Sequence, residues 1–311
     1  MRGSTGEEVR VKRWTRLAVP LVAVAVLGGA GLAVAGSSRA PAAPPVERLD
    51  KVVLLGDSYS AGNGAGGYLD SCFRTPQSAG RRYAAQVRAA VVDVSCSGAV
   101  VADLTHARDQ SRPAQVDAVD RTADVVVLTI GGNDVGFGTI VVQCFLFGTG
   151  TADGGCADGI QRAWAQLPRL RTDLTAALTQ VRSRMRPDAT LVLRSYPLLA
   201  PDRPLVEQGG YDANRGIRAL GRAGTAVQQE AVDAVRASAP GRERTYLDTS
   251  AATVFAGHEL GAKPAAGAKA DPWFVGFGTR GGRQAEVYHP NPAGWAAWGD
   301  SLTRFLAPRT R

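Results

Sequence analysis

Past residue 50, apolar runs without alternation recur along the chain, separated by stretches with a helical period. Val52–Leu55, Val91–Val94, Asp124–Ile130, Leu191–Ser195 and Thr245–Leu247 read as strands. The third, "DVVVLTI", is β-branched and apolar on both faces. Such a strand has no face to spare for water, which predicts a parallel sheet covered on both sides. Ile160, Trp164, Leu167, Leu170, Leu174, Leu178, Val181 and Met185 predict one apolar helical stripe. Pro168 lies inside it and is expected to split the segment into two helices or to open the second. Another helix, richer in alanine, is expected from about Asp212 to Arg236 behind an aspartate cap. Five strands with interspersed helices and no internal repeat predict a three-layer α/β/α sandwich.

The first 48 residues have a different texture. Arg2, Arg10, Lys12, Arg13 and Arg16 precede an uncharged apolar run, Leu17 to Leu32, and Ala33-Val34-Ala35 supplies the small residues a signal peptidase reads. Residues 1–35 therefore read as an export signal. An uncleaved membrane anchor is the alternative, because Leu17 to Ala35 approaches the ~20 residues of a span. Residues 36–48, rich in Pro and Ala, read as a linker, and residues 49–311 as one domain. Either way the body of the protein is expected outside the cytoplasm, secreted or associated with the cell envelope.

Cysteine usage agrees. Cys72, Cys96, Cys144 and Cys156 suit two bridges in an oxidising compartment, and pairing of neighbours is the simplest of three connectivities. No CxxC is present and there are only three histidines, so no metal site is expected. The formal net charge is +8, and residues 1–35 carry five basic and two acidic side chains, so +5 remains on the rest. Its basic residues are scattered without interleaved aromatics, which argues against a nucleic-acid partner. A mild attraction to an anionic envelope surface is compatible with that charge.

In open α/β sheets, sites lie beyond the carboxyl ends of the strands, which puts Gly56–Ser60, Ser95–Gly98 and Gly131–Asp134 on one rim. The first loop, in "VVLLGDSYSAGNG", admits three readings. Gly62, Gly64 and Gly67 satisfy G-x-G-x-x-G, and Asp93 could pose as the ribose acid. The first of these glycines, however, falls seven residues after Leu55, past the Asp-Ser pair, and no GK[ST] follows, so no nucleotide cofactor is expected. A lone serine after a strand is most often a helix cap. Its company outweighs that reading: Gly98 follows strand two, Asn133 follows strand three, and His289 precedes a helix-like C-terminal segment in "YHPNPAGW". Ester hydrolysis needs a hydroxyl, a base to deprotonate it, and donors aimed at the developing oxyanion. The α/β-hydrolase elbow, G-x-S-x-G, fails because Ser60 stands where glycine is required.

In order, "GDSYSAG", "SCSGAVVADL", "GGNDVGF" and "HPN" resemble the blocks of the SGNH hydrolases, the GDSL lipase/esterase family. The resemblance spans about residues 50 to 300 and is greatest to the exported actinobacterial branch, whose GHE and PW signatures look like those in "FAGHELGAKPAAGAKADPWF". It implies a five-stranded, mainly parallel, flavodoxin-like sheet and catalysis without metal or organic cofactor. It also implies Ser58 as nucleophile, His289 as base, and an oxyanion hole made by the backbone N–H groups of Ser58 and Gly98 with the Asn133 amide. Asp134 is expected to orient its loop, and His106 and His258 to be surface or structural residues. Where the family has Asp three residues before the histidine, this chain has Glu286, which could orient His289 through its carboxylate or its main-chain carbonyl. Leu260-Gly261 stands where the branch often has a further cysteine, so the loop from Ala251 to Ala285 is expected to be looser.

The expectation is an exported, monomeric serine esterase or lipase acting on carboxylic esters, lipid or short-chain, through a Ser58 acyl-enzyme. Two readings stand beside it: an O-acyl (acetyl) esterase acting on envelope glycans, and a catalytically idle binding protein of the same fold.

Overall fold

Five strands form a single parallel sheet in the order β2-β1-β3-β4-β5. They are β1 (Lys51–Gly56), β2 (Ala90–Asp93), β3 (Val125–Thr129), β4 (Thr190–Arg194) and β5 (Thr245–Asp248). This computed structural model describes residues 49–146, 155–206, 210–263, 269–279 and 282–310; the expected export signal and linker, residues 1–48, lie outside them. The helices are α1 (Ser58–Ala61), α2 (Ala79–Gln86), α3 (Phe137–Val141), α4 (Gly155–Arg184), α5 (Ala213–Ala237), α6 (Ala251–Val254) and α7 (Pro292–Leu306). Among the described residues no helix is long and apolar enough to cross a membrane.

The period-two alternation of each strand feeds two cores. Val53, Leu55, Val126, Leu128, Leu191 and Leu193 lie in one, with Leu170, Leu174 and Leu178 of α4 and Val232 of α5. Val52, Leu54, Val125, Val127 and Val192 lie in the other, with Tyr83 of α2 and Leu302 and Leu306 of α7. Unbroken apolar strands thus have a helical layer on each face, and the sandwich is α/β/α.

Two expectations about helices need correcting. Pro168 does not split α4, which runs without a break from Gly155 to Arg184. Pro168 is on the exposed side, so the Trp164 carbonyl it leaves without a helical partner has access to water, while Leu167, Leu170 and Leu174 keep one apolar stripe across it. Trp164 is not part of that stripe; it is 44% exposed. Helix α2 had no sequence signal, since AGRRYAAQ carries only one large apolar residue, Tyr83. It forms behind the Ser78 cap, and Gly80 lets it lie close to the sheet: a Cβ there would stand 2.5 Å from the Leu54 side chain.

Two disulfides tie the loops at the sheet's carboxyl end. Cys72–Cys96 joins the segments after β1 and β2, and Cys144–Cys156 joins the segment after α3 to the first turn of α4. Tyr59, Phe255, Phe274, Tyr288, Trp295 and Trp298 form a third cluster that packs the segments after β1 and β5 against α7. Without a bridge, the described part of the Ala251–Ala285 loop is held by Arg203 donating to the Gly261 carbonyl and by Asn291 donating to that of Pro272.

Candidate active site

Strand β1 ends on Gly56, whose φ is +108° and where a Cβ would stand 2.3 Å from the Thr129 carbonyl oxygen, so only glycine fits. The Gln115 side chain clamps this residue, accepting from its N–H at 2.6 Å and donating to its carbonyl at 3.1 Å. Asp57 then caps α1, with Oδ1 accepting from the Tyr59 N–H at 2.9 Å, which makes Ser58 the first residue of the helical turn.

His289 comes from the far end of the chain. The HPNP run starts α7: Asn291 accepts from the Gly294 N–H and Pro292 takes the first helical position. Tyr288 adopts φ +61°, a conformation uncommon for a non-glycine residue, and the Tyr59 hydroxyl donates to its carbonyl. The Tyr59 ring packs against the imidazole at 4.7 Å. So placed, His289 Nε2 lies 2.7 Å from Ser58 Oγ, and its Nδ1 lies 3.2 Å from the Val287 carbonyl. A carbonyl only accepts, so Nδ1 carries the proton and the Nε2 lone pair faces the serine hydroxyl.

A cavity of about 710 Å3 opens over this pair, and Gly98, Asn133, Phe137, Phe277 and Val287 help to line it. Asn133 spends one amide hydrogen on the Ala99 carbonyl at 2.8 Å, which leaves its second for the cavity. Gly98 sits at φ +76°, and among the described residues no group accepts from its N–H or from that of Ser58. The Asp134 carboxylate accepts from the Val101 N–H at 3.1 Å and so ties the loop after β3 to the one after β2.

Of the two alternatives for Glu286, the carboxylate is not the group placed against His289. Its Oε2 accepts from the Arg283 N–H at 2.8 Å and its Oε1 from the Tyr68 hydroxyl at 2.5 Å, so both oxygens are engaged away from the imidazole. Nδ1 lies 3.2 Å from the Val287 carbonyl, and the Glu286 carbonyl, the other alternative at that position, also favours the imidazolium. His106 and His258 are remote from the pair. His106 is exposed, beside the Thr105 hydroxyl, and His258 stacks on Trp273 with Nδ1 against the Asp271 carbonyl.

Sequence reasoning missed several residues that build the site. The Tyr196 hydroxyl donates to Asp57 Oδ2 and accepts from the Gly132 N–H, joining the loops that carry Ser58 and Asn133. Tyr196 lies just past the carboxyl end of β4, so the rim rule applied to that strand would have found it. Asn63 donates to the Ser97 hydroxyl at 3.0 Å and to the Ala285 carbonyl at 2.9 Å, binding the first, second and last loops together.

The electrostatics follow from burial. Desolvation lowers the His289 pKa to about 4, against the opposing pull of the Val287 and Glu286 carbonyls and the Glu286 charge, so the imidazole rests neutral. Desolvation raises Asp57 to about 7, with hydrogen bonds from Tyr196 and Tyr59 only partly offsetting it. Burial beside Asp57 pushes the Tyr196 phenol well above its usual range. Burial also raises Asp134.

Fold and site together define a hydrolase of carboxylic esters. Residues 54–297 match the model of the GDSL-like lipase/acylhydrolase family. A lipase of Streptomyces rimosus is 32% identical over 243 residues, covering 76% of this chain and 83% of that one. The crystal structure of the extracellular lipase of Streptomyces rimosus superposes with a TM-score of 0.66 at 27% identity, covering 82% of this chain and 99% of that one. The phospholipase A1 of Streptomyces albidoflavus NA297 gives 0.66 at 26%, covering 84% and 99%. The chain belongs to the GDSL-like lipase/acylhydrolase, or SGNH hydrolase, family. Its two disulfides and its extracellular relative fit a secreted protein.

Proposed function

We propose that the protein is a secreted serine esterase or lipase in which Ser58 forms the acyl-enzyme, His289 is the general base, and Ser58, Gly98 and Asn133 supply the oxyanion donors. The observation that carries this reading is the 2.7 Å contact between His289 Nε2 and Ser58 Oγ inside a cavity bordered by Gly98 and Asn133. Nε2 takes the hydroxyl proton as Oγ bonds to the ester carbon, and the carbonyl oxygen becomes an oxyanion facing the three donors. The carbon–oxygen bond to the alcohol then breaks, and the imidazolium returns its proton to that alcohol. Water repeats the sequence and frees the acid. Burial disfavours the imidazolium in the resting site, so the nearby oxyanion charge is what makes it tenable.

The cavity wall formed by Phe137, Val141, Val142, Phe277 and Val287 favours an apolar acyl group over a sugar, in keeping with relatives named lipase and phospholipase A1. Residues 1–35 are proposed as the export signal. The test is labelling by a fluorophosphonate probe with the adduct located by mass spectrometry. Label on Ser58 that disappears in His289→Ala is expected; a folded protein that stays unlabelled would overturn the assignment.

A further inference from the structure

We infer that a second, apolar cavity beside the active site receives the distal part of the acyl chain, and that Gln228 there selects chains carrying a hydroxyl group. The inference rests on the Ser58 reading above. This cavity, of about 80 Å3, lies between α4, α5 and the segment after β4, with Leu167, Leu170, Ile217 and Leu220 among its walls. Gly132, Phe137 and Tyr196 line both it and the cavity over Ser58, so an ester held at Ser58 has this apolar space across a shared wall.

Two independent observations point to an occupant. Gln228 lines the cavity and is 3% exposed; its Nε2 donates to the Ile130 carbonyl at 3.4 Å, while its Oε1 has no partner among the described residues. The reverse amide orientation would set two oxygens against each other, so the oxygen is the free atom. A buried acceptor left unpaired is costly, and a ligand hydroxyl would satisfy it where a plain hydrocarbon would not. The second observation is a glycine without a packing reason. In α5, a Cβ at Gly216 would stand 2.1 Å from the Tyr211 hydroxyl and one at Gly221 would stand 3.0 Å from Leu198, so both positions are crowded. A Cβ at Gly224 would meet nothing within 4 Å, although glycine weakens a helix interior and Gly224 also lines the cavity. Its missing side chain leaves space for something else.

The test compares nitrophenyl dodecanoate with isomers carrying one hydroxyl at successive carbons. Wild-type protein should hydrolyse at least one isomer about tenfold faster in kcat/KM than the plain ester, a preference the size of one buried hydrogen bond. Gln228→Leu should erase that preference. Gln228→Met serves the same purpose should the leucine variant fold poorly. Gly224→Leu should lower the ratio of dodecanoate to acetate hydrolysis by filling the cavity. A wild-type protein without preference, or a preference that survives both Gln228 variants, overturns the inference and leaves the acceptor to water. Fluorophosphonate labelling of Ser58 in each variant reports separately on the nucleophile. Should that labelling fail, binding of dodecanoic acid and its hydroxylated isomers to Ser58→Ala protein by calorimetry still reads the cavity, and equal affinities there overturn the inference.

Discussion

His289 directs Nδ1 at the Val287 carbonyl, 3.2 Å away, while the Glu286 carboxylate, one of the two groups that could have held it, is bound by Tyr68 and Arg283. A neutral carbonyl fixes the tautomer and the ring orientation, and the Glu286 carboxylate acts on the imidazole only through its field. Under the function proposed above, the site would work as a dyad whose histidine is oriented by main chain. Glu286→Gln keeps the shape: its amide oxygen can still accept from the Arg283 N–H, and its NH2 can donate to the Tyr68 hydroxyl where the carboxylate accepted, so kcat/KM should stay within about tenfold of wild type. Where a carboxylate truly orients the histidine, its amide replacement costs about 10⁴ in kcat. A loss of that order in steady-state hydrolysis of a nitrophenyl ester would return the carboxylate to the mechanism.

The low pKa of His289 sets the acid limb of activity. Only the neutral imidazole accepts the Ser58 proton, and burial keeps it neutral down to about pH 4. In the free enzyme the acid limb of kcat/KM should therefore fall near 4 instead of the ordinary histidine value of about 6.5. The same shift has a stability consequence. Between those two values the unfolded chain binds the extra proton and the native chain does not, so this contribution is present above about 6.5 and is lost as pH falls through 4. An acid limb near 6.5 in a pH–rate profile would show that the imidazole is well solvated.

Asp57 gives the opposite sign. Its native pKa of about 7 lies above the ordinary value of 3.8, so the native chain holds a proton that the unfolded chain has released. Its contribution is fully present below 3.8 and is lost as pH rises through 7. Asn at this position preserves the cap on α1 through its Oδ1, turns its NH2 to donate to the Tyr196 hydroxyl in place of the bond Asp57 accepts, and does not titrate. Thermal melts should show Asp57→Asn gaining on the wild type as pH rises from about 4 to about 7, with the difference levelling off above 7. A Tm difference that stays flat with pH would mean that Asp57 is ionised throughout.

Asn133 places one amide hydrogen on the Ala99 carbonyl, and its second is the one proposed above as an oxyanion donor. Removing a hole donor of this kind lowers kcat by about 10²–10³ with little change in KM. Asn133→Ala should show that pattern, and a rise in KM at constant kcat would assign the residue to substrate binding instead.

Much of this was legible along the chain, for identifiable reasons. All five strands showed as apolar runs because a sheet covered on both faces has no polar alternation to confuse the pattern. Ser58, Gly98, Asn133 and His289 showed because each sits in a short block of distinctive residues next to a strand end or a helix start. Tyr196 and Gln115 did not, because their bonds to Asp57 and Gly56 cross 139 and 59 residues of sequence and leave no local trace. The two alternatives for Glu286 were inseparable along the chain for a local reason. Its position three residues before the histidine suited an orienting acid, yet the tight turn at Gln284–Glu286 folds its carboxylate back onto the Arg283 N–H.

The most remote support for the histidine is a buried ion pair under α7. Arg194, on β4, donates to Asp248 of β5 at 2.9 Å, and both side chains are almost wholly excluded from water. The guanidinium also donates to the Trp298 carbonyl and the Ser301 hydroxyl, and its carbon lies 4.0 Å from the centre of the Trp298 ring. Trp298 in turn packs edge-on against Tyr59, the ring that faces His289. Removing one partner strands a buried charge, so Asp248→Ala should destabilise by about 3–5 kcal/mol in urea denaturation. Replacing both partners with apolar residues removes the charge as well, and Arg194→Met combined with Asp248→Leu should recover a large part of that loss. The double variant should fold yet hydrolyse esters more slowly, because the anchor of α7 to the sheet is gone and Tyr59 has a looser support. A double variant as unstable as the single one would mean that the hydrogen bonds to α7, and not the stranded charge, dominate the energetics of this corner.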